Sequence, residues 1–220
     1  MNMKRFFLAI VLCFGIVVSY AQDEKSAIDF KNEGNDALRA KDYPKALQLF
    51  EEALAKWGEE PKDTAMVYNM AYCAFQAKNY DKALKLFDES IALDYKKETA
   101  FLYKANTYKA LKNDEEYVKT LEAALASSPD DSKVKSMLAI VYVKEANVFY
   151  SAGATILKSA AADVAAAKYK TTDAPYKEAT ENAKEEFKKA LPVIEKALDY
   201  DPANATAKQL KAACEQAIKG

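Results

Sequence analysis

Adjacent carboxylates at Glu51 and Glu52, cysteines at positions 13, 73 and 214, and fourteen tyrosines are the residues of this chain best equipped for acid–base, thiol or phenol chemistry. Their surroundings do not organise that chemistry. Histidine is absent, which excludes histidine metal sites and histidine general-base catalysis. The chain holds no Gly-rich phosphate loop, CxxC or GxSxG. Glu51 and Glu52 fall on the solvent face of an amphipathic helical pattern, where nothing raises a carboxylate pKa. No catalytic constellation is visible, so an enzyme is not expected, and neither a cofactor nor a metal is implied. The remaining capacity is to hold a partner through polar donors and rigid aromatic rings.

The elements that must carry those side chains are legible in the helical repeat. The stretch NYDKALKLFDESIALD (Asn79 to Asp94) places Ala83, Phe87 and Ser90 on one helical face. An earlier copy, DYPKALQLFEEALAK (Asp42 to Lys56), does the same with Ala46, Phe50 and Ala53. Small residues let a second helix approach and the Phe fills the gap. One such helix cannot bury its stripe alone, so stacked neighbours are predicted. From Ser26 onward there is almost no strand signal, and the five Gly and six Pro fall mostly between apolar-periodic segments. An all-α chain follows. Helix pairs are predicted at 25–40 with 43–56, 64–78 with 80–93, and 98–112 with 114–126. Asp42, Asp63 and Asn79 serve as N-caps, and Asn113 with Glu116 suggests a capping box.

Composition and address bound the setting. The 220 residues are 50% apolar and 30% charged, with net charge −1, a balance that argues against nucleic acid as a ligand. Lys4 and Arg5 precede an apolar run from Phe6 to Val18, and Ser19-Tyr20-Ala21 ends it with small residues. This reads as a signal peptide over residues 1–21, cleaved after Ala21. The run is shorter than the ~20 residues that span a bilayer, so an uncleaved anchor is the lesser alternative. Leu12 before Cys13 argues against lipidation. After cleavage 30 basic and 33 acidic residues remain, a net charge of −3. The product is expected in the periplasm, with an envelope-associated or secreted form as alternatives, and it meets the membrane only through the signal sequence. Cys73 and Cys214 are expected to be buried, unpaired thiols.

Aligned positions form a ladder: Ala46, Ala83 and Tyr117; Phe50, Phe87 and Leu121; Ala53, Ser90 and Ala124; and, in the first helices, Gly34, Ala71 and Ala105. A period near 34 of helix-turn-helix units with small residues at fixed places resembles the tetratricopeptide repeat. The third copy gives Phe101, Ala105, Tyr108, Leu121, Ala124 and Pro129 in that family's large-small-large order. Glu33, Lys104 and Tyr117 depart from it. The resemblance implies a right-handed superhelical solenoid that mediates protein–protein contacts. The repeats fall at about 27–61, 64–95 and 98–129. A fourth, at 132–202, matches at Leu138, Ala139, Tyr142, Ala190, Ile194 and Ala197, but it is split by a 39-residue insertion that itself reads as helix. An elongated antiparallel hairpin is therefore predicted, with a first helix at 132–168 about 55 Å long and a second at 174–200 nearer 40 Å. The Ala-rich end of the longer arm should overhang, or that arm should bend near Gly153. Residues 203–220 read as a capping helix.

In the resembled family, first-helix side chains line the concave face and hold extended peptides. Carried onto this register, the candidate peptide-binding residues are Lys31, Asn35 and Arg39 from the first copy. The second gives Tyr68, Asn69, Tyr72 and Phe75, and the third Tyr103 and Asn106. Members that capture a C-terminal carboxylate use lysine and asparagine at places matched here by Lys31, Asn35 and Asn69. Their two remaining basic places hold Thr99 and Tyr103, which leaves the clamp half-built. The implied partner is a protein or peptide bound on this face. A self-associating envelope protein that uses the hairpin of residues 140–187 is the second reading.

Overall fold

The computed structural model describes residues 25–220. The signal-sequence expectation, with Cys13, lies outside the described residues. Within them the chain forms α1 (Ala27–Arg39), α2 (Tyr43–Ala55), α3 (Thr64–Gln76), α4 (Tyr80–Ala92), α5 (Lys97–Ala110), α6 (Asp114–Ser127), α7 (Ser132–Ala165), α8 (Ala174–Tyr200) and α9 (Ala205–Lys219). No strand occurs among the described residues. Each helix packs on its sequence neighbours, and α9 covers α8 and the base of α7.

Local chemistry starts the helices. Ser26 and Asp29 form a reciprocal capping box on α1. Asp42, Asp63, Asn79, Asp131 and Asn204 each accept a hydrogen bond from a first-turn N–H. At α6 only half of the expected box is present. The Asn113 side chain accepts from Glu116 N–H, but the Glu116 carboxylate pairs with Lys119 instead.

The turns show how the fourth unit was lengthened. Lys41, Lys78 and Lys112 each adopt a left-handed conformation after the first helix of a pair, and Ala167 does the same after α7. Lys112 to Ala167 spans 55 positions, 21 more than a 34-residue repeat. Ala167 to Ala190 spans 23, against 5 from Lys112 to Tyr117, an excess of 18. The 39 inserted residues thus divide into 21 on α7 and 18 on α8. Both are close to whole numbers of helical turns, so the apolar stripes stay in phase.

Two apolar clusters form the core, one across α1–α4 and one across α5–α9. Phe50, Phe87, Leu121 and Ile194 are fully buried at the matched second-helix positions. The hairpin does not overhang at its tip. The Tyr169 hydroxyl lies 3.5 Å from the Ala160 carbonyl and from Asp163, closing the end. At the other end Tyr142 stacks on Tyr200, with centroids 5.7 Å apart. The surplus length of α7 therefore lies at its base, where Val134 and Leu138 are buried with Ala207 and Leu210 of α9. Helix α7 also ends at Ala165, three residues before the expected Lys168. Gly153 does not interrupt it, because a Cβ there would come within 2.8 Å of the Phe187 ring. Its role is close approach of the two arms. Cys73 and Cys214 are buried and unpaired, and burial pushes the Cys73 thiol up to about 12.

Candidate recognition surface

The first helices of the pairs, α1, α3, α5 and the base of α7, present the side chains singled out by register. The polar members from the first two repeats are already engaged. Lys31 on α1 forms an ion pair with Asp63, the N-cap of α3, and both are largely shielded. Burial alone would raise the Asp63 pKa; hydrogen bonds from the Lys31 ammonium and the Met66 N–H outweigh it and hold the carboxyl below its ordinary value. Lys31 also lies over the Trp57 ring, 5.8 Å from its centroid. Arg39 pairs with Asp36 one turn back on its own exposed helix face. The Asn69 side-chain amide donates to Asn35 Oδ1 at 3.3 Å, tying α3 to α1. Lys31, Asn35 and Asn69 therefore hold the first two units together, and the cation that a carboxylate clamp needs is neutralised from within. Asn106 is exposed on α5.

The aromatic members converge. Tyr72 lies edge-on to Tyr103, with centroids 5.3 Å apart, and Phe75 meets the same Tyr103 at 5.4 Å. Tyr43, the first residue of α2, joins Tyr72 at 5.8 Å, and Tyr80 of α4 joins Phe75 at 6.3 Å. Beneath them Tyr103 stacks on buried Phe87. All five upper rings are half-buried. A hydrogen bond with Tyr72, then burial, pushes the Tyr43 phenol up; burial, then the Tyr72 neighbour, does the same for Tyr103. Both are thus protonated, hydrogen-bonding hydroxyls at neutral pH. Tyr68 does not belong to this group. It is 7% exposed and packs against Phe87 and Tyr95 with Lys96 over its ring, so its expected place in an open groove does not hold.

Farther along, α5, α6 and α7 enclose a cleft of about 440 Å³. Val118, Val141, Ile140 and Val148 supply its apolar wall, and Lys109, Asp114, Lys144 and Glu145 its rim. Ile140 and Val148 are 63% and 64% exposed, the largest exposures among the described large apolar side chains.

Known proteins bear on this arrangement. The tetratricopeptide repeat family matches residues 31–96 and again residues 74–141, jointly just over half of the chain. The chain belongs to the tetratricopeptide repeat family. Among solved structures it is similar to a repeat protein of this family from Bacteroides fragilis, with 25% identity over 88% of this chain and 99% of that one and a TM-score of 0.58. It is also similar to a tetratricopeptide repeat protein from Parabacteroides merdae, at 13% identity over 89% and 75% of the two chains with a TM-score of 0.50. The second likeness is one of fold. No curated protein sequence matches.

Tetratricopeptide proteins are interaction scaffolds, and the repeat register adds Ile140 to the inner positions. Ile140 follows Asn106 by one 34-residue repeat, as Ala139 follows Ala105. The ladder already held Ala139, so Ile140 could have been found by extending it one position. Tyr43 and Tyr80 were hidden by their role as helix-starting residues.

Proposed function

We propose that this protein is an exported, non-enzymatic adaptor that holds a segment of a protein partner along its concave face. The observation that carries this reading is the inner face itself. A cluster of half-buried rings on α2–α5 is followed, at the equivalent register of the fourth repeat, by a cleft with two strongly exposed aliphatic side chains. Apolar exposure of that kind on an otherwise polar surface marks a contact site. Rings with protonated hydroxyls offer apolar area and hydrogen bonds together, at low cost in side-chain entropy. The hairpin buries its own stripe, because Ala183, Phe187, Ala190 and Ile194 are covered by α7 and its neighbours. The apolar side chains left exposed on α7, Ile140 and Val148, lie in the cleft shared with α5 and α6 rather than along the far part of the arm. The apolar run at residues 6–18 motivates the assignment to an envelope compartment.

The test is capture from the native envelope fraction with the wild-type protein and with Tyr103→Ala and Ile140→Asp as parallel baits. A partner retained by the wild type and lost from both variants supports the reading; retention by both would sink it. Release by osmotic shock of a product whose mass begins at Gln22 would support export, and a full-length cytosolic product would end that half of the proposal.

A further inference from the structure

The aromatic cluster differs in one respect from five rings elsewhere in the chain. Trp57, Tyr68, Tyr108, Tyr117 and Tyr142 each carry a lysine ammonium 4.2 to 5.9 Å from the ring centroid. Among the described residues no lysine or arginine lies over Tyr43, Tyr72, Phe75, Tyr80 or Tyr103. These rings meet at steep angles: 83° between Tyr43 and Tyr72, 77° between Tyr72 and Tyr103, and 63° between Phe75 and Tyr103. Steeply angled neighbours turn π faces in more than one direction, the arrangement that attracts a cation, with one face of Tyr103 already taken by Phe87. The two basic candidates of the first repeat are already paired, Lys31 with Asp63 and Arg39 with Asp36. A carboxylate guest would find no uncommitted cation among the candidate side chains of the first two repeats. Phenol hydroxyls and the exposed Asn106 amide supply neutral acceptors for an ammonium or guanidinium.

We infer that the ring cluster around Tyr72 and Tyr103 is a subsite for a basic side chain, arginine or lysine, of the bound peptide. The inference rests on the concave-face reading above and gives it a charge preference: positive at the rings and apolar at the Ile140 and Val148 cleft.

The probes are four peptides with acetylated N-termini and amidated C-termini, Ala-Gly-X-Gly-Ala, in which X is arginine, citrulline, norleucine or glutamate. Binding to the full chain is followed through the ring ¹³C–¹H resonances of its tyrosines. The arginine peptide should shift Tyr72 and Tyr103 in a saturable way and bind about two- to fivefold tighter than its neutral citrulline isostere. Tyr72→Phe, which keeps the ring, should preserve that ratio, and Tyr72→Leu should abolish it. Equal binding of the arginine and citrulline peptides, or preference for glutamate, overturns the cation subsite but leaves peptide binding on this face intact. Absence of shifts with all four peptides also overturns it. If Tyr103→Ala and Ile140→Asp lose the captured partner in that case, the concave-face reading survives alone. If they retain it, both fail.

Discussion

Gly34 in the first repeat and Gly153 in the hairpin perform the same act at opposite ends of the molecule. Each lets a phenylalanine of the next helix, Phe50 or Phe187, come closer than a Cβ would permit. The surroundings differ. Around Gly34 the helices are 13 residues long, and their amides and rings reach across to the next pair. Around Gly153 the helices run to 34 and 27 residues, and the facing stripes of Ala146, Ala183, Phe187, Ala190 and Ile194 are buried between them and their neighbours. The short units join to one another through half-buried rings and amides, while the long unit joins its two arms through a buried apolar stripe. The exposed pair Ile140 and Val148 sits near the base of the long unit, where it rejoins the register of the short ones.

Deleting the two central rings would break or sharpen that comparison most strongly. Phe87→Ala and Phe187→Ala should each cost about 3–5 kcal/mol in urea denaturation, since both side chains are almost fully buried. Hydrogen exchange should separate them, with Phe187→Ala releasing α7 and α8 while α1–α4 keep their protection. A hairpin variant that loses less than about 1 kcal/mol would show that the arm adds little of its own. Next come the glycines. Gly153→Ala should cost about 1–3 kcal/mol from overpacking, offset in part by about 1 kcal/mol of helix propensity. Its new Cβ would meet the Ala183 carbonyl at 3.0 Å as well as the ring, so it should lose more than Gly34→Ala, whose three nearest contacts are all atoms of the Phe50 ring. The reverse order in thermal melts would refute the close-approach account of the hairpin.

Asp63→Ala should cost about 1 kcal/mol at neutral pH, the usual worth of an N-cap. The sign of its pH dependence follows from the depressed folded pKa. The contribution is complete above the ordinary carboxylate value of 3.8. It is lost as acid first protonates the unfolded chain and then reaches the lower folded value. Wild type and variant should therefore converge at low pH, and a constant gap down to acid unfolding would remove Asp63 and Lys31 as the link between the first two repeats. The smallest effect on stability is expected for Ile140→Asp, within about 0.5 kcal/mol, because the side chain stands in solvent. A larger loss would make Ile140 part of the core and weaken the case for the cleft.

How much was legible depended on whether a property is local or shared between helices. The caps at Asp42, Asp63 and Asn79 need only their own first turn, and the ladder of Ala46, Phe50 and Ala53 needs only helical periodicity. Both stand in the structure much as the residues imply. Tyr68 departs from its expected place because a fraction of a turn of helix rotation separates an inward position from a buried one, and that rotation is set by packing against Phe87 and Tyr95. The division of the 39-residue insertion was equally hidden. Its length is in the sequence, but the point of reversal is fixed by the left-handed turn at Ala167 and the Tyr169 contact beyond it.

The sequence by itself determined that this chain is a helical repeat protein, because small and large residues recurring every 34 to 37 positions call for stacked helices to bury them. Tertiary structure alone decided what its inner face offers. Lysine at position 31 is a potential clamp until Asp63, 32 residues away, neutralises it, and Tyr43, Tyr72 and Tyr103 are separate helix residues until stacking brings their rings within 6 Å. Charge and aromatic character belong to residues. Whether they remain available to a partner depends on what the fold has already placed against them.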